Sequence, residues 1–209
     1  MSGIGPYDVA DAEGGDDGPG QDGGTAGGDG GPPGQGWLLL VYRVPSEPTR
    51  LRAAVWRRLK SLGAIYLQNS AAALPASTSA ERAMRKLRRD ILDMSGTAVL
   101  LSCTALAGEP DIVAAFQAAR DDEYAEIVDK CEDFLAEVRK EYVAEHFTYA
   151  ELEENEVDLV KLKTWLNRVS ERDAFGAAGG QAAHDAVATC EQALEDYAAR
   201  VYSEEAESR

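Results

Sequence analysis

Arginine and lysine are the residues of this chain whose spacing most clearly predicts a chemical role, which is the binding of anions. Residues 37–90 contain eleven basic and three acidic residues, whereas residues 1–36 contain seven acidic and no basic residues and residues 91–209 have a net charge of −17. A cationic module can bind phosphate if the acidic parts of the chain fold away from it. The total charge of −16 therefore leaves nucleic-acid binding open.

Six of these cations fall on the faces of two predicted helices, because side chains three or four positions apart share one helical face. If the two helices are neighbours on one side of a sheet, the six would line one surface and attract phosphate by counterion release. The alternative is a solvated face, or a docking surface for the acidic helices of the same chain. The predicted nucleic-acid-binding residues are Arg50, Arg57, Lys60, Arg82, Arg85 and Arg89.

Three further arginines in the acidic region are candidates for binding a tetrahedral oxyanion such as chromate or sulfate, because a planar guanidinium offers several donors in a fixed geometry. Nearby aspartates favour the alternative, in which each arginine pairs with an acid and locks two helices together. The predicted oxyanion-binding residues are Arg120, Arg168 and Arg172, and the competing acids are Asp121, Asp122 and Asp173.

Patterns for catalysis and metal binding are missing from the sequence. A carboxylate di-iron site needs a glutamate three residues before a histidine. At that position this chain has Val143 before His146 and Gln181 before His184. The acidic run over 151–158 has no turn glycine and so does not match a calcium-binding loop. No nucleophile elbow or P-loop occurs. We therefore predict no enzymatic activity, no cofactor and no metal.

The cysteines and the chain start predict the compartment. Cys103, Cys131 and Cys190 are too far apart for a zinc or redox motif, and each lies in an apolar stripe, so each is predicted to be a packed core thiol in a reducing compartment. Residues 1–36 lack the basic and apolar segments of a secretion signal. No apolar run approaches the ~20 residues that a membrane helix needs. We expect a cytoplasmic protein with no membrane partner.

The apolar pattern predicts one α/β module behind a polar tail. Residues 1–36 hold 14 of the 20 glycines and are predicted to be disordered. Residues 37–107 alternate as strand, helix, strand, strand, helix, strand, which is the ferredoxin-like order. The predicted strands are 37–42, 64–68, 71–74 and 97–103. Thr49 and Thr78 are the predicted helix N-caps, and Gly63 and Gly96 are the predicted helix stops.

Residues 108–203 predict an acidic helical module of three helices. The first ends near His146, the second starts with a capping box at Thr148, and the third follows the glycines at 176–180. Their apolar stripes must pack on one another or on the sheet, and the continuous apolar first and fourth strands predict that the open sheet face is covered. We therefore expect an α+β fold in which the helical module packs on the α/β module, with a disordered C-terminus at 204–209.

Several segments resemble the N-terminal domain of the ChrB chromate-resistance family. These are residues 37–48, 55–60 and 62–68, followed by 116–124, 147–156 and 172–176, so that the likeness extends over about 37–202. Full-length members of the family are understood as chromate-responsive transcriptional regulators. The resemblance implies that this chain is a chromate-resistance-type transcriptional regulator or accessory module that binds DNA without catalysis. Full-length members have a further C-terminal domain, so this chain is expected to be a stand-alone N-terminal module.

The α/β half is also similar to the central domain of the PaaX repressor and to the ferredoxin-like CRISPR-associated integration nucleases. Those nucleases carry an acidic metal ligand where this chain has Arg43, which would repel Mg²⁺, so nuclease activity is not expected. Residues 71–73 are smaller than the residues that relatives have in this strand, so a tight strand-to-strand or homodimer contact is expected to have changed. DNA is thus the first expected partner. The alternatives are an oxyanion-sensing module that does not bind DNA and a protein-interaction module.

Overall fold

The computed structural model describes residues 36–207, so the predicted tail lies outside the described residues apart from Gly36. The described chain forms four strands and five helices in the order expected for an α+β protein. The strands are β1 (Trp37–Arg43), β2 (Ile65–Gln68), β3 (Ala71–Pro75) and β4 (Thr97–Cys103). The helices are α1 (Thr49–Leu62), α2 (Thr78–Asp93), α3 (Glu109–Ala144), α4 (Tyr149–Ser170) and α5 (Gly180–Glu207).

The four strands form one antiparallel sheet in the order β2-β3-β1-β4. At its centre Leu40 of β1 lies opposite Ala72 of β3 on one side and Leu100 of β4 on the other. This order and the two helical crossovers confirm the ferredoxin-like arrangement predicted from the alternation of strands and helices.

Helices α1 and α2 supply the core of the α/β module together with the sheet. Leu38 and Leu40 are two residues apart on β1 and therefore point to the same face. Both are buried, and the helical residues that complete this cluster lie at helical spacing. The cluster includes Val55 and Leu59 of α1 and Met84, Leu87 and Ile91 of α2.

Helix α3 belongs to two hydrophobic cores at once. Its Phe116 is buried in the sheet core, where its ring stacks on Trp37 at 5.5 Å between centroids and lies 5.7 Å from Phe175. From Tyr124 onward, its buried hydrophobic residues belong to a second core formed with α4 and α5. The expectation that the two modules pack together is confirmed, because one continuous helix, which begins just after the predicted boundary at 107–108, contributes to both cores.

The expectation that the open sheet face is covered is wrong for much of that face. Val41, Val99 and Leu101 are 43%, 56% and 45% exposed. Helix α3 covers the Trp37 end of β1 and contacts β2, but β4 lies at the opposite edge of the sheet. Apolar composition of the strands could not show this, because the coverage depends on where α3 crosses.

The helix starts agree with the sequence in part. Thr148 caps α4 as predicted, and its Oγ1 accepts a hydrogen bond from the Glu151 N–H at 3.3 Å. The caps predicted at Thr49 and Thr78 are wrong. Helix α1 begins at Thr49 after Pro48 with no side-chain cap. Helix α2 is capped one residue earlier than predicted, by Ser77.

The helix ends show one confirmed stop and one extension. Gly63 ends α1 in the left-handed conformation, at φ +76°. Helix α5 continues to Glu207, beyond the predicted end at 203, and Arg200 pairs with Glu204 at 2.7 Å in its last turns. Among residues 36–207, no helix is long and apolar enough to cross a membrane.

Candidate anion-binding surface

Most of the predicted cations lie in two different grooves rather than on one continuous surface. The inter-module groove, of about 1120 Å³, runs between α1, the start of α2, α3 and α4. The edge groove, of about 600 Å³, runs between α2 and β4. Arg57, Lys60, Arg168 and Arg172 line the inter-module groove, whereas Arg82, Arg85, Arg88 and Arg89 line the edge groove. Arg50 is exposed in the first turn of α1 and lines neither groove.

The edge groove is strongly cationic because α2 buries its apolar side and turns its arginines outward. Arg82 and Arg89 are exposed and form no salt bridge within residues 36–207. Arg85 pairs with Glu81 at 2.6 Å, and Glu81 is the one acidic residue lining this groove. Arg88 donates from Nε to the backbone oxygen of Ala98 at 3.1 Å. Four guanidinium groups therefore face one carboxylate.

The cations of α1 are also available to a ligand. Arg57 is exposed, and Lys60 places its Nζ 5.6 Å from the centre of the half-exposed Trp56 ring. Neither residue, nor Arg50, forms a salt bridge in the described part of the chain. The inter-module groove is less cationic than the edge groove, because it also contains three glutamates, at positions 123, 126 and 171.

Two of the three predicted oxyanion-binding arginines are held by one carboxylate of the protein itself. Arg120 is only 4% exposed, and its Nη2 lies 3.0 Å from Oε1 of Glu123. Arg172 places its Nη2 2.6 Å from Oε2 of the same glutamate. The helix-locking acid is thus Glu123 rather than any of the three aspartates considered from the sequence. Arg168 is exposed and forms no salt bridge within residues 36–207.

Arg120 and Arg172 also bind the C-terminal end of α1. Arg172 donates from Nη1 to the Lys60 carbonyl at 3.0 Å, and Arg120 donates from Nη1 to the Gly63 carbonyl at 3.5 Å. Burial lowers the pKa of Arg120, and the nearby Glu123 opposes this effect. Nε of Arg120 has no hydrogen-bond partner among the described residues. This cluster joins α1, α3 and the end of α4, which is a structural role.

Glu123 and Arg88 are the two residues of this surface that the sequence reasoning missed. The only sequence signal for Glu123 was its position three residues after Arg120, which permits an ion pair on one helix. Arg88 lies among other basic residues and had no signal of its own, because its contact with Ala98 depends on the packing of α2 beside β4.

The histidines and cysteines do not form a reactive cluster. His146 lies 3.3 Å from Glu141 through Nδ1, and no group of three metal-binding side chains occurs within residues 36–207. Cys131 and Cys190 are buried as predicted, and burial raises the pKa of Cys190 to about 12. The prediction of a core thiol is wrong for Cys103, which lies exposed at the end of the edge strand β4.

Comparison with known proteins agrees with the resemblance drawn from the sequence. A family model described as the N-terminal part of protein ChrB matches residues 52–208. The chain belongs to this family. The ChrB match covers α1 from its fourth residue and all later elements, including every predicted cation except Arg50. Strand β1 lies outside the matched residues, although the segment 37–48 contributed to the resemblance.

One relative in the ChrB family is protein ChrB of Cupriavidus metallidurans. It is 31% identical to this chain over 90 residues, which is 43% of this chain. The matched segment spans 28% of the length of that protein. The similarity therefore concerns one part of a considerably longer relative.

Proposed function

We propose that this chain is a chromate-resistance-related regulatory module that binds DNA through the phosphate backbone and has no catalytic activity. The observation that carries the proposal is that, within the part of the chain that the structure describes, most of the six predicted nucleic-acid-binding residues form no salt bridge with an acidic side chain. Of the six, only Arg85 forms a salt bridge within residues 36–207. Membership of the ChrB N-terminal family supports the link to chromate resistance.

The physical basis of the proposal is counterion release. Each phosphate that a lysine or arginine neutralises lowers the slope of log binding constant against log salt concentration by about 0.9. Five exposed cations without a carboxylate partner would give a slope of about −4 to −5 if all contact phosphate. Contacts of this kind position a protein on DNA and do not read its sequence.

The test measures binding of the full chain to a labelled duplex from upstream of its own gene at several salt concentrations. We expect the double variant Arg82→Gln/Arg89→Gln to weaken binding by about tenfold or more and to make the slope less steep by about 2. The matched control is Lys130→Gln/Lys140→Gln, which removes two exposed lysines that are already paired with Asp133 and Glu137. Absence of binding at low salt, or equal effects of the two variants, would refute the proposal.

Oxyanion sensing is a second candidate, because the inter-module groove brings the exposed Arg168 together with Arg57 and Lys60. Binding there would not require displacement of Glu123 from Arg120. The measurement is calorimetric titration with chromate and with sulfate, repeated on Arg168→Gln. We expect heat of binding that Arg168→Gln removes, and a flat titration of the unmodified chain would eliminate this candidate.

A further inference from the structure

The outer edge of β4 has the features of a site that accepts an additional strand. Strand β4 is at the end of the sheet and pairs only with β1 among the described strands. Edge strands usually carry lysine, proline or a bulge that prevents pairing with other chains. The seven residues of Thr97–Cys103 include no charged residue and no proline, and their pairing with β1 is continuous.

The hydrogen bonds of β1 show which backbone groups of β4 face outward. The Tyr42 N–H donates to the Ser70 oxygen at 2.9 Å, on the β3 side of β1. The N–H and C=O groups of successive residues point to opposite sides of a strand, so those of Leu39 and Val41 must point toward β4. Their partners on β4 are Leu101 and Val99, whose N–H and C=O groups therefore point toward β1. The N–H and C=O groups of the residues that alternate with these two point away from β1, toward the free edge of the sheet. The outward residues are Ala98, Leu100 and Ser102.

An independent contact supports this assignment. The Ala98 carbonyl accepts the hydrogen bond from Arg88, which requires that it point away from β1. For Leu100 and Ser102, no hydrogen bond outside the sheet ladder occurs in the described residues. Two N–H and two C=O groups are thus presented along the edge groove, with the same spacing that a paired strand would offer.

The charge of the groove selects the occupant. Arg82, Arg85 and Arg89 form its helical wall, and Glu81 is the single carboxylate lining it. A second copy joined edge to edge through β4 would bring two such arginine rows together, and like charges at close range repel. An extended segment with carboxylates instead gains pairing on both sides, from the β4 backbone and from the α2 arginines.

We propose that the edge groove binds an extended acidic segment of a partner protein, which adds as a fifth strand beside β4 with its carboxylates toward Arg82, Arg85 and Arg89. The exposed side chains of Val99 and Leu101 extend the contact to the other sheet face. This inference goes beyond DNA binding, because it requires the strand edge as well as the cations.

The test uses a short synthetic peptide of alternating valine and glutamate as the probe for the full chain. Two matched peptides accompany it: one has every backbone nitrogen methylated and keeps its charge, and the other has lysine in place of glutamate. We expect the unmodified peptide to bind, N-methylation to weaken binding by about tenfold or more, and the lysine peptide not to bind. Equal binding of the unmodified and methylated peptides would overturn strand addition.

Amide hydrogen exchange gives a direct readout at the strand. We expect the peptide to slow exchange of the Leu100 and Ser102 amides, while the Val99 and Leu101 amides, already in the ladder, serve as internal controls. The proposal is overturned if the peptide leaves Leu100 and Ser102 unchanged. It is also overturned if those amides become protected with rising protein concentration alone, which indicates a second copy, or with duplex DNA but not with the peptide.

A protein variant completes the test. Leu100→Pro removes an outward N–H that the ladder with β1 does not use, and edge strands tolerate proline at such positions. We expect this variant to lose peptide binding by about tenfold and to keep the salt-dependent DNA binding of the unmodified chain. Unchanged peptide affinity of this variant would overturn the proposal, whereas failure of the unmodified chain to bind duplex DNA, while it still binds the peptide, would count only against the proposed function. If Leu100→Pro does not fold, Ser102→Pro replaces it.

Discussion

At the scale of single residues, Gly63 is required for two reasons: its backbone conformation and the close approach of neighbouring side chains. Its φ of +76° lies in the left-handed region, where glycine has no steric cost. A Cβ atom there would lie 2.5 Å from Nη1 of Arg120 and 3.2 Å from Cδ of Arg172. The helix stop could be predicted from the sequence, but the crowding by two arginines far along the chain, one in α3 and one just after α4, could not.

Replacement of this glycine provides a test with a matched control. Gly176 also has positive φ, at +66°, but an added Cβ would meet no heavy atom within 4 Å. We expect Gly176→Ala to lower the free energy of unfolding by about 1 kcal/mol from backbone strain alone. Gly63→Ala should cost about 2–4 kcal/mol because it also displaces Arg120 and Arg172. Urea denaturation measures both, and equal losses would contradict the crowding.

The thiols give a second prediction at this scale. Cys131 and Cys190 are buried and Cys103 is exposed. We expect a thiol reagent to modify one cysteine per folded chain and three after denaturation, and to modify none in folded Cys103→Ser. Modification of a second thiol in the folded chain would contradict this assignment.

The raised pKa of Cys190 also sets a pH dependence. Because burial raises the folded pKa of Cys190 to about 12 and an unfolded thiol ionises near 8.5, the contribution of this thiol to stability is complete below about pH 8.5 and is lost as pH rises toward 12. Urea denaturation across this range should show a falling free energy of unfolding. A constant value would contradict the shift, and folded Cys103→Ser should show the same fall as the unmodified chain.

At the scale of elements, the strands and helices could be placed from apolar periodicity, but their caps and coverage could not. The α2 cap was expected at Thr78 because Glu81 follows it at capping-box spacing. In the structure, Ser77 has the extended backbone of an N-cap, its Oγ accepts from the Ala80 N–H at 3.1 Å, and Glu81 pairs with Arg85 instead. Because Ser77 and Thr78 both carry a hydroxyl group that can cap a helix, the sequence alone does not show which of them is the N-cap.

The position of the cap is testable by two substitutions of the same kind. We expect Ser77→Ala to lower the free energy of unfolding by about 1 kcal/mol, because it leaves the Ala80 N–H without its partner. Thr78→Ala replaces a residue inside the first turn and should change stability by less than about 0.5 kcal/mol. Thermal or urea denaturation distinguishes them, and a larger loss for Thr78→Ala would place the cap where the sequence suggested.

The arginine sets show the same limit at the element scale. Helical spacing correctly grouped Arg82, Arg85 and Arg89 on one face of α2. It could not show that α2 turns this face toward β4 while Arg57 and Lys60 of α1 line another groove, because the rotation of each helix is set by the core residues beneath it.

At the scale of the whole molecule, α3 makes the two modules one packing unit. Its first turns bury Phe116 against Trp37 of the sheet, and its later turns form the core of the helical bundle. The sequence predicted two modules in contact but did not predict which residue of α3 contacts the sheet. Phe116 was missed because it packs in the sheet core, whereas the helical spacing of the apolar residues in α3 indicates only the core of the bundle.

Shared packing predicts that the modules unfold together. Phe116→Ala removes a buried ring from the sheet core and should lower the free energy of unfolding by about 3–5 kcal/mol. We expect this loss to appear equally in the globally exchanging amides of β1 and of α5, although α5 lies in the other core. Loss confined to the amides of the sheet would contradict a single cooperative unit.

The loop before α3 has a related consequence for proteolysis. Leu106 is fully exposed between β4 and Gly108, so a protease has ready access to this connection. A nick there would yield two bands on a denaturing gel, yet the halves should migrate as one species in a native gel. The stacked rings of residues 37, 116 and 175 and the contact of Arg172 with α1 hold them together without the peptide bond.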